Sequence, residues 1–265
     1  MKNNFLFADI GNTNIDFLFQ KGEEYLPQKI LSTKKEELIH YLDSLDFVKE
    51  CYISSVDRVA CECLISCLKE KEIPYQVIDS NVIKEFAANN GYVIENADIL
   101  GADLFCDALC RDTDKGLIVV DLGTANKILY LDSKKRLNGG CIFPGITFFP
   151  ETLHMSTDLL GLYSLERAPK LVSLDTSECI SSGAINGIGA LIAGMVNQIK
   201  KEYECPDALV VLTGGNGYLI KDVLPRFGLE DFETDINAVH EGLARTFGFT
   251  NYLSMKQEIK TEEKR

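Results

Sequence analysis

Short apolar runs and polar turns follow one another along the chain in an order that occurs twice. Near the start, Phe5-Leu-Phe-Ala runs into Asp9, and Ile15 opens a second apolar run to Phe19, with Gly11-Asn12-Thr13-Asn14 between them. Close to half the chain later, Leu117-Ile-Val-Val runs into Asp121, and Gly123-Thr124-Ala125-Asn126 separates it from Lys127-Ile-Leu-Tyr-Leu131. An apolar run, a turn of Gly, Asn and Thr, and a second apolar run predict a β-hairpin. Each half therefore starts with a hairpin whose turn reads Asp-x-Gly. This echo predicts a duplicated α/β unit rather than two unrelated domains, divided as 1–113 and 114–254, with a charge-rich tail at 255–265 that is expected to fray.

Further strands are expected at Val48–Val56, Tyr75–Asp79 and Ala208–Leu212, and helices at Arg58–Lys71 and Leu104–Arg111. From Ala184 to Ile199, apolar residues recur at helical spacing with small residues among them, which predicts a closely packed helix. Strands alternating with helices in this way indicate the α/β class.

With 265 residues, 46% of them apolar and 25% charged, the chain can build a sizeable core of the ordinary globular kind. The net charge of -13 argues against nucleic-acid and anionic-membrane partners, which depend on Lys and Arg to neutralise phosphates. It also means that an anionic ligand must be met by a local device, such as backbone N–H groups or a metal. The segment Met1-Lys-Asn-Asn does not read as a signal peptide, and no uninterrupted apolar stretch reaches the ~20 residues that span a bilayer. Nine scattered cysteines fit reduced thiols of a cytoplasmic protein, most acting as small buried hydrophobes, with a zinc site as the remote alternative.

Glycine in each hairpin turn lets the backbone approach a ligand, and successive N–H groups there can hold an anion. Asp9 and Asp121 make sense beside phosphate if a cation such as Mg²⁺ bridges the two. A plain β-turn uses the same residues, but two matching turns favour ligand binding. A third glycine turn, Thr213-Gly214-Gly215-Asn216-Gly217, follows the strand at Ala208–Leu212 and precedes a helix-like stretch, a setting that lets a nucleotide lie against backbone. Asn138-Gly-Gly-Cys-Ile-Phe-Pro144-Gly145 reads as a ligand wall or a generic turn. Asp103, in Gly101-Ala102-Asp103, either caps a helix or acts as a general base on a substrate hydroxyl.

These motifs, in this order from about Phe5 to Gly248, resemble the type III pantothenate kinases of the acetate-kinase/sugar-kinase/Hsp70/actin superfamily. The resemblance implies duplicated ribonuclease-H-like (actin-like ATPase) domains with mixed sheets flanked by helices. It implies ATP-dependent phosphorylation of the primary hydroxyl of pantothenate, the first step toward coenzyme A, with Mg²⁺ and a monovalent cation, K⁺ or NH₄⁺. The ATP phosphates would meet Asp9, Ile10, Gly11, Asn12, Thr13, Asn14, Ile15 and Asp16, with Thr124, Gly214 and Gly215 completing the nucleotide site. Asp103 would be the base and Asp121 the ligand of the monovalent cation. Pantothenate would lie against Tyr92, Gly101, Ala102, Asp103, Leu104 and Thr176, the last sometimes from a partner subunit. Homodimers with active sites at the interface are implied as well.

Two positions depart from the family pattern. Leu104 stands where the family has Arg after its base aspartate, which removes a rigid five-donor fork. The second turn reads Thr124-Ala125-Asn126-Lys127 where further threonines are usual, so Lys127 either brings positive charge to the phosphates or ends a strand in solvent. Two other readings stay open at this point, a kinase-like protein that has lost catalysis and acts as a regulator or binding module, and a phosphotransferase or phosphatase of the same superfamily with another substrate.

Overall fold

The computed structural model describes residues 4–22, 24–31, 34–167 and 169–249, and in it two sheets repeat one plan. The first contains β1 (Asn4–Ile10), β2 (Asn14–Lys21), β3 (Glu24–Leu31), β4 (Glu50–Ser55) and β5 (Tyr75–Val77), in the spatial order β3-β2-β1-β4-β5. The second contains β6 (Leu117–Leu122), β7 (Ala125–Leu131), β8 (Leu137–Pro144), β9 (Leu209–Thr213) and β10 (Glu233–Thr234), in the order β8-β7-β6-β9-β10. Each is an antiparallel meander of three strands with two parallel strands added beside the first. The order is the same position for position, so the expected duplication is present in the topology.

Helices cover both faces of the sheets, which is why β1 and β6 read as near-continuous apolar runs rather than alternating ones. Leu6, Ala8 and Ile10 of β1 pack with Ile15 and Phe17 of β2 against α1 (Lys35–Ser44) and α2 (Arg58–Glu70). On the opposite face, Phe5 and Phe7 pack with Phe105 of α4 (Ala102–Ala108) and with Leu243 and Ala244 of α8 (Ala238–Thr246). In the second sheet, Ile118, Val120 and Leu122 pack on Ile185, Ile188 and Ile192 of α6 (Thr176–Glu202), which α5 (Phe148–Ser156) contacts in turn. Asp57, Asp79 and Asp175 cap α2, α3 (Ser80–Asn90) and α6 through side-chain oxygens that accept backbone N–H bonds.

The last helix, α8, crosses from the second sheet to the first. A Cβ at Gly242 would lie 1.9 Å from the backbone oxygen of Cys106, so only glycine allows α8 to approach α4 this closely. His240 Nε2 donates to the backbone oxygen of Asp16 over 2.9 Å, and Phe249 stands edge-on to the rings of Phe5 and Phe7. Arg111, just beyond α4, pairs with Asp235 and Glu241.

Several elements differ from the sequence expectation. Helix α6 starts at Thr176 rather than Ala184, because Asp175 caps a polar first turn. Its composition and length would allow it to cross a membrane, but 61% of its most apolar window is buried in the molecule, as expected for a core helix. The expected helix at Leu104–Arg111 is α4, which starts two residues and ends three residues earlier. Asn138–Pro144, read as a wall or turn, belongs to edge strand β8. The helix after Gly214-Gly215 is only the short α7 (Gly217–Ile220), followed by a 3₁₀ turn at Leu224–Phe227. The expected charged tail lies outside the described residues.

Candidate active site between the two hairpin turns

Strand register sets up the site. Ser54 of β4, Asp9 of β1, Asp16 of β2 and Lys29 of β3 are successive cross-strand partners, so their side chains share one face at one level. Ser54 Oγ donates to Asp9 Oδ1 over 3.1 Å, and Lys29 Nζ pairs with Asp16 Oδ1 at 3.1 Å. Carboxylates placed directly opposite each other repel. Burial above all, then the charge of Asp103, with Asp16 and Asp121 adding to it and Ser54 opposing, pushes the Asp9 carboxyl up to about 7.

In the second sheet the corresponding row runs from Thr213 through Asp121 to Lys127. Asp9 pairs across its hairpin with Asp16, whereas Asp121 pairs with Lys127 after a turn one residue shorter. Pairing Asn14 with Asn126, as the apolar pattern suggests, is therefore off by one beyond the glycine. The register instead makes Thr124 the counterpart of Thr13 and Lys127 the counterpart of Asp16. The two turns meet at their tips, with Thr13 Oγ1 and Thr124 Oγ1 3.4 Å apart.

Lys127 is the centre of the arrangement. Its ammonium donates to Asp103 Oδ2 over 2.6 Å and to Asp121 Oδ2 over 2.7 Å, with the three side chains only 11% to 17% exposed. Burial works against the charged ammonium, but Asp121 and Asp103 outweigh it and hold the Lys127 amine above its usual value. Burial raises the Asp121 carboxyl, and Lys127 pulls it back. Lys127 is therefore not a strand end in solvent, and the charge expected beside the phosphates lies on two carboxylates instead.

Asp103 lies in the first turn of α4, where Gly101 allows its carboxylate to fold back; a Cβ at Gly101 would meet Asp103 Oδ1 at 2.5 Å. Asp103 Oδ1 accepts the Leu104 N–H over 2.7 Å while Oδ2 accepts from Lys127, so the carboxylate is fixed from both sides. One helical turn on, Asp107 is buried, and neither of its side-chain oxygens has a hydrogen-bond partner. Burial first, then the charge of Asp121, raises this carboxyl well above the usual range.

The glycine turns fit around the second hairpin. Gly214 sits at φ +85°, and a Cβ there would lie 2.5 Å from both Asp121 Oδ1 and the Leu122 nitrogen, so it needs glycine for conformation and for space. The Asn216 N–H and side-chain amide donate to the backbone oxygens of Leu122 and Gly123. Gly145 lies so close under the same turn that a Cβ would come within 2.3 Å of the Thr124 oxygen. Lys29 Nζ, from the first sheet, reaches to 4.0 Å of the Cβ position of Gly215.

Two clefts open beside this centre. One of about 290 Å³ lies at the start of α4, with Ser55, Val56, Ile78, Ile83, Leu100 and Gly101 among its walls. The other, of about 510 Å³, adjoins Asn216, with Thr147, Pro150, Tyr163, Leu165 and Tyr218 along it.

The expected site residues divide accordingly. Asp9, Asp16, Thr13, Thr124, Asp103, Asp121 and Gly214 come together between the halves. Gly11 donates its N–H to the Asn14 oxygen and closes the first turn, leaving Asn12 and Thr13 exposed at its tip. The side chains of Ile10 and Ile15 are fully buried in the first core, so a ligand could meet only their backbone. Ala102 is buried as well. Leu104 packs with the cluster of Leu117 and Val119 rather than facing a polar ligand. Tyr92 lies 5.6 Å from the Phe86 ring with Lys135 over its face. Thr176 is exposed in the first turn of α6. Sequence reasoning missed Ser54, Lys29 and Asp107, of which only Asp107 had a local signal, one helical turn after Asp103; Asn216 was read only as part of the third glycine turn, without a role of its own.

Among the described residues, no three His, Cys, Asp or Glu side chains converge to hold a metal by themselves. A Mg²⁺ ion that brings its own phosphate and water ligands needs only one or two carboxylates, and the crowded, partly uncompensated Asp9 fits that demand. A monovalent cation on Asp121 fits less well, because an ammonium already lies on that carboxylate.

Two sheets of identical order, each opening with an Asp-containing hairpin aimed at the other, define an actin-like ATPase fold. Solved structures agree on the fold. An archaeal actin homolog superposes with a TM-score of 0.51 at 10% identity, covering 93% of this chain and 99% of its own. A conserved Campylobacter jejuni protein assigned to the Baf family of transcriptional activators gives 0.55 at 20% identity, covering 92% and 97%. The model of the type III pantothenate kinases matches residues 5–198. A type III pantothenate kinase of Persephonella marina is 30% identical over 255 residues, covering 89% of this chain and 96% of its own. One from Exiguobacterium is 35% identical over 131 residues, about half of each chain. The chain belongs to the type III pantothenate kinase family.

A raised acid binds a proton in the folded state that the unfolded chain has already released, so Asp9 costs stability as pH rises from about 4 through about 7. Without nucleotide, the wild-type melting temperature should fall over this range more steeply than that of Asp9→Asn, measured by scanning calorimetry. Parallel curves for the two proteins would contradict the assignment.

Proposed function

We propose that the chain transfers the γ-phosphoryl group of ATP to the primary hydroxyl of pantothenate, giving 4'-phosphopantothenate, the first step of coenzyme A biosynthesis. The observation that carries this reading is the meeting of Asp103, from the first half, with the two hairpin turns, whose Thr13 and Thr124 tips lie 3.4 Å apart. ATP phosphates would lie between these tips, against the turn backbones at Gly11 and Gly123 and near Lys29. Mg²⁺ bound with ATP would neutralise phosphate charge beside Asp9 and Asp16. The nucleoside would extend past Gly214 and Gly215 into the cleft beside Asn216.

Pantothenate would enter the cleft at the start of α4, with its hydroxyl on Asp103 as general base. Leu104 supplies no donor there, so recognition of the acceptor falls to the walls of this cleft and to the Asp103–Lys127 pair. Phosphoryl transfer asks little of the protein beyond position and charge, and the two-sided hold on Asp103 supports that role.

A homodimer, in the cytoplasm, completes the reading. Thr176 is exposed at the start of α6, close in sequence to the exposed Val172 and Leu174, and Met155 and Leu159 add further exposed apolar surface. A second copy of the chain covering this surface would bring its Thr176 to the acceptor cleft.

Direct chromatographic detection of ADP and phosphopantothenate tests the reaction. Asp103→Asn should lower kcat by about 10²-fold or more, the range associated with loss of a general base, with ATP affinity little changed. Turnover close to wild type would make Asp103 a structural residue. For the dimer, mixing the inactive Asp103→Asn protein with a Thr176→Val protein should restore part of the activity, because one of the two sites in a mixed dimer is intact. Failure of any mixture to exceed its components would refute a site shared between subunits.

A further inference from the structure

We propose that Lys127 is a tethered replacement for the monovalent cation, so that this kinase works without K⁺ or NH₄⁺. The inference rests on the kinase reading above and concerns how its charge is supplied. A Lys head group is a substituted ammonium, chemically the closest side-chain equivalent of NH₄⁺. Here it lies 2.7 Å from Asp121 Oδ2, the carboxylate on which a free cation was expected, and 2.6 Å from Asp103 Oδ2. Those are charge-assisted contact distances, with both carboxylates in direct contact.

The backbone delivers the ammonium. Lys127 is the cross-strand partner of Asp121 in the β6–β7 pair, so strand register rather than a mobile loop places it there. The same position in the first hairpin is Asp16, an acid, so Asp9 faces no cross-strand ammonium there, and the nearest lysine of that row, Lys29 on the third strand, pairs with Asp16. The second hairpin is thus self-neutralised and the first is not. A free K⁺ on Asp121 would come close to the Lys127 ammonium and be repelled by it. To take the place on Asp121 Oδ2, the ion has to displace Lys127, and both of its carboxylate contacts oppose that departure.

Lys127 is in this account a positioning residue. It holds Asp103 toward the acceptor while giving Asp121 its counter-charge. The expected loss of the family arginine at Leu104 does not leave the acceptor side without positive charge, because Lys127 reaches Asp103 from the neighbouring strand.

The test uses the full-length protein with pantothenate, Mg²⁺ and ATP, in buffers whose only monovalent cation is choline, Na⁺, K⁺ or NH₄⁺. ADP is read by chromatography, so no coupling enzyme imposes a cation requirement. Wild-type kcat/KM should vary less than about twofold among these salts. Lys127→Ala should lose activity by at least about tenfold in choline and regain most of it in K⁺ or NH₄⁺. Lys127→Met, which fills the space without charge, should lose activity and not regain it. A second readout is the melting temperature without substrates, which K⁺ should raise for Lys127→Ala but not for wild type relative to choline. If no salt supports turnover by wild type, the pantothenate kinase reading fails, and the melting temperatures alone then decide the cation question. Strong activation or stabilisation of wild type by K⁺, or a Lys127→Ala protein indifferent to every salt, would overturn the proposal.

Discussion

Two carboxylates from different halves of the chain share one buried ammonium, and the site is organised around that contact. Asp103 comes from the helix that closes the first half, and Asp121 from the first strand of the second. Lys127 Nζ lies between them at 2.6 and 2.7 Å. Taking such groups out of water is costly, and a buried ion pair is a poor source of net stability. Its value lies in position, since an ammonium has few favourable places near two fixed carboxylates. Asp9 and Asp107 add further acidic groups nearby, both raised by burial. Without Lys127, Asp103 and Asp121 would lose the ammonium they share, and Lys29, paired with Asp16, would be left as the cation of the row that faces them.

Duplication supplied the scaffold, and a one-residue difference in turn length made the halves chemically unlike. Both sheets have the same strand order, and both hairpins point an Asp and a Thr at the cleft. The shorter second turn brings Lys127 opposite Asp121, while the longer first turn brings Asp16 opposite Asp9. One half therefore carries surplus negative charge suited to a phosphate-bound divalent ion. The other is balanced internally, and its Lys127 also holds Asp103 of the first half. Helix α8 ties the halves together from outside the cleft, where Gly242 allows close contact with the helix that carries Asp103.

Much of this was legible because it is local. The hairpins, α2, β9 and the Gly214 turn are written in contiguous residues, and their order was enough to reveal the family. Strand β8 was missed because an edge strand with two glycines has no clear apolar alternation, and the start of α6 because its polar first turn looks like loop. The path of α8 onto the first sheet depends on packing between Gly242 and Cys106, far apart in the chain. For the same reason the role of Lys127 could not be read beforehand. As sequence it is a lysine at a strand end; its second partner, Asp103, lies in the other half of the chain. Ile10 and Ile15 show the reverse error, since a motif carries its buried residues along with those that can touch a ligand.

The central claim is that Lys127 stays between Asp103 and Asp121 while ATP and acceptor are bound. A crystal structure with pantothenate and a non-hydrolysable ATP analogue, grown with Tl⁺ as a K⁺ substitute visible by anomalous scattering, tests it most directly. The account predicts phosphates between Thr13 and Thr124, the Lys127 ammonium on both carboxylates, and no thallium peak at Asp121. A thallium ion on Asp121 with Lys127 turned away would contradict it.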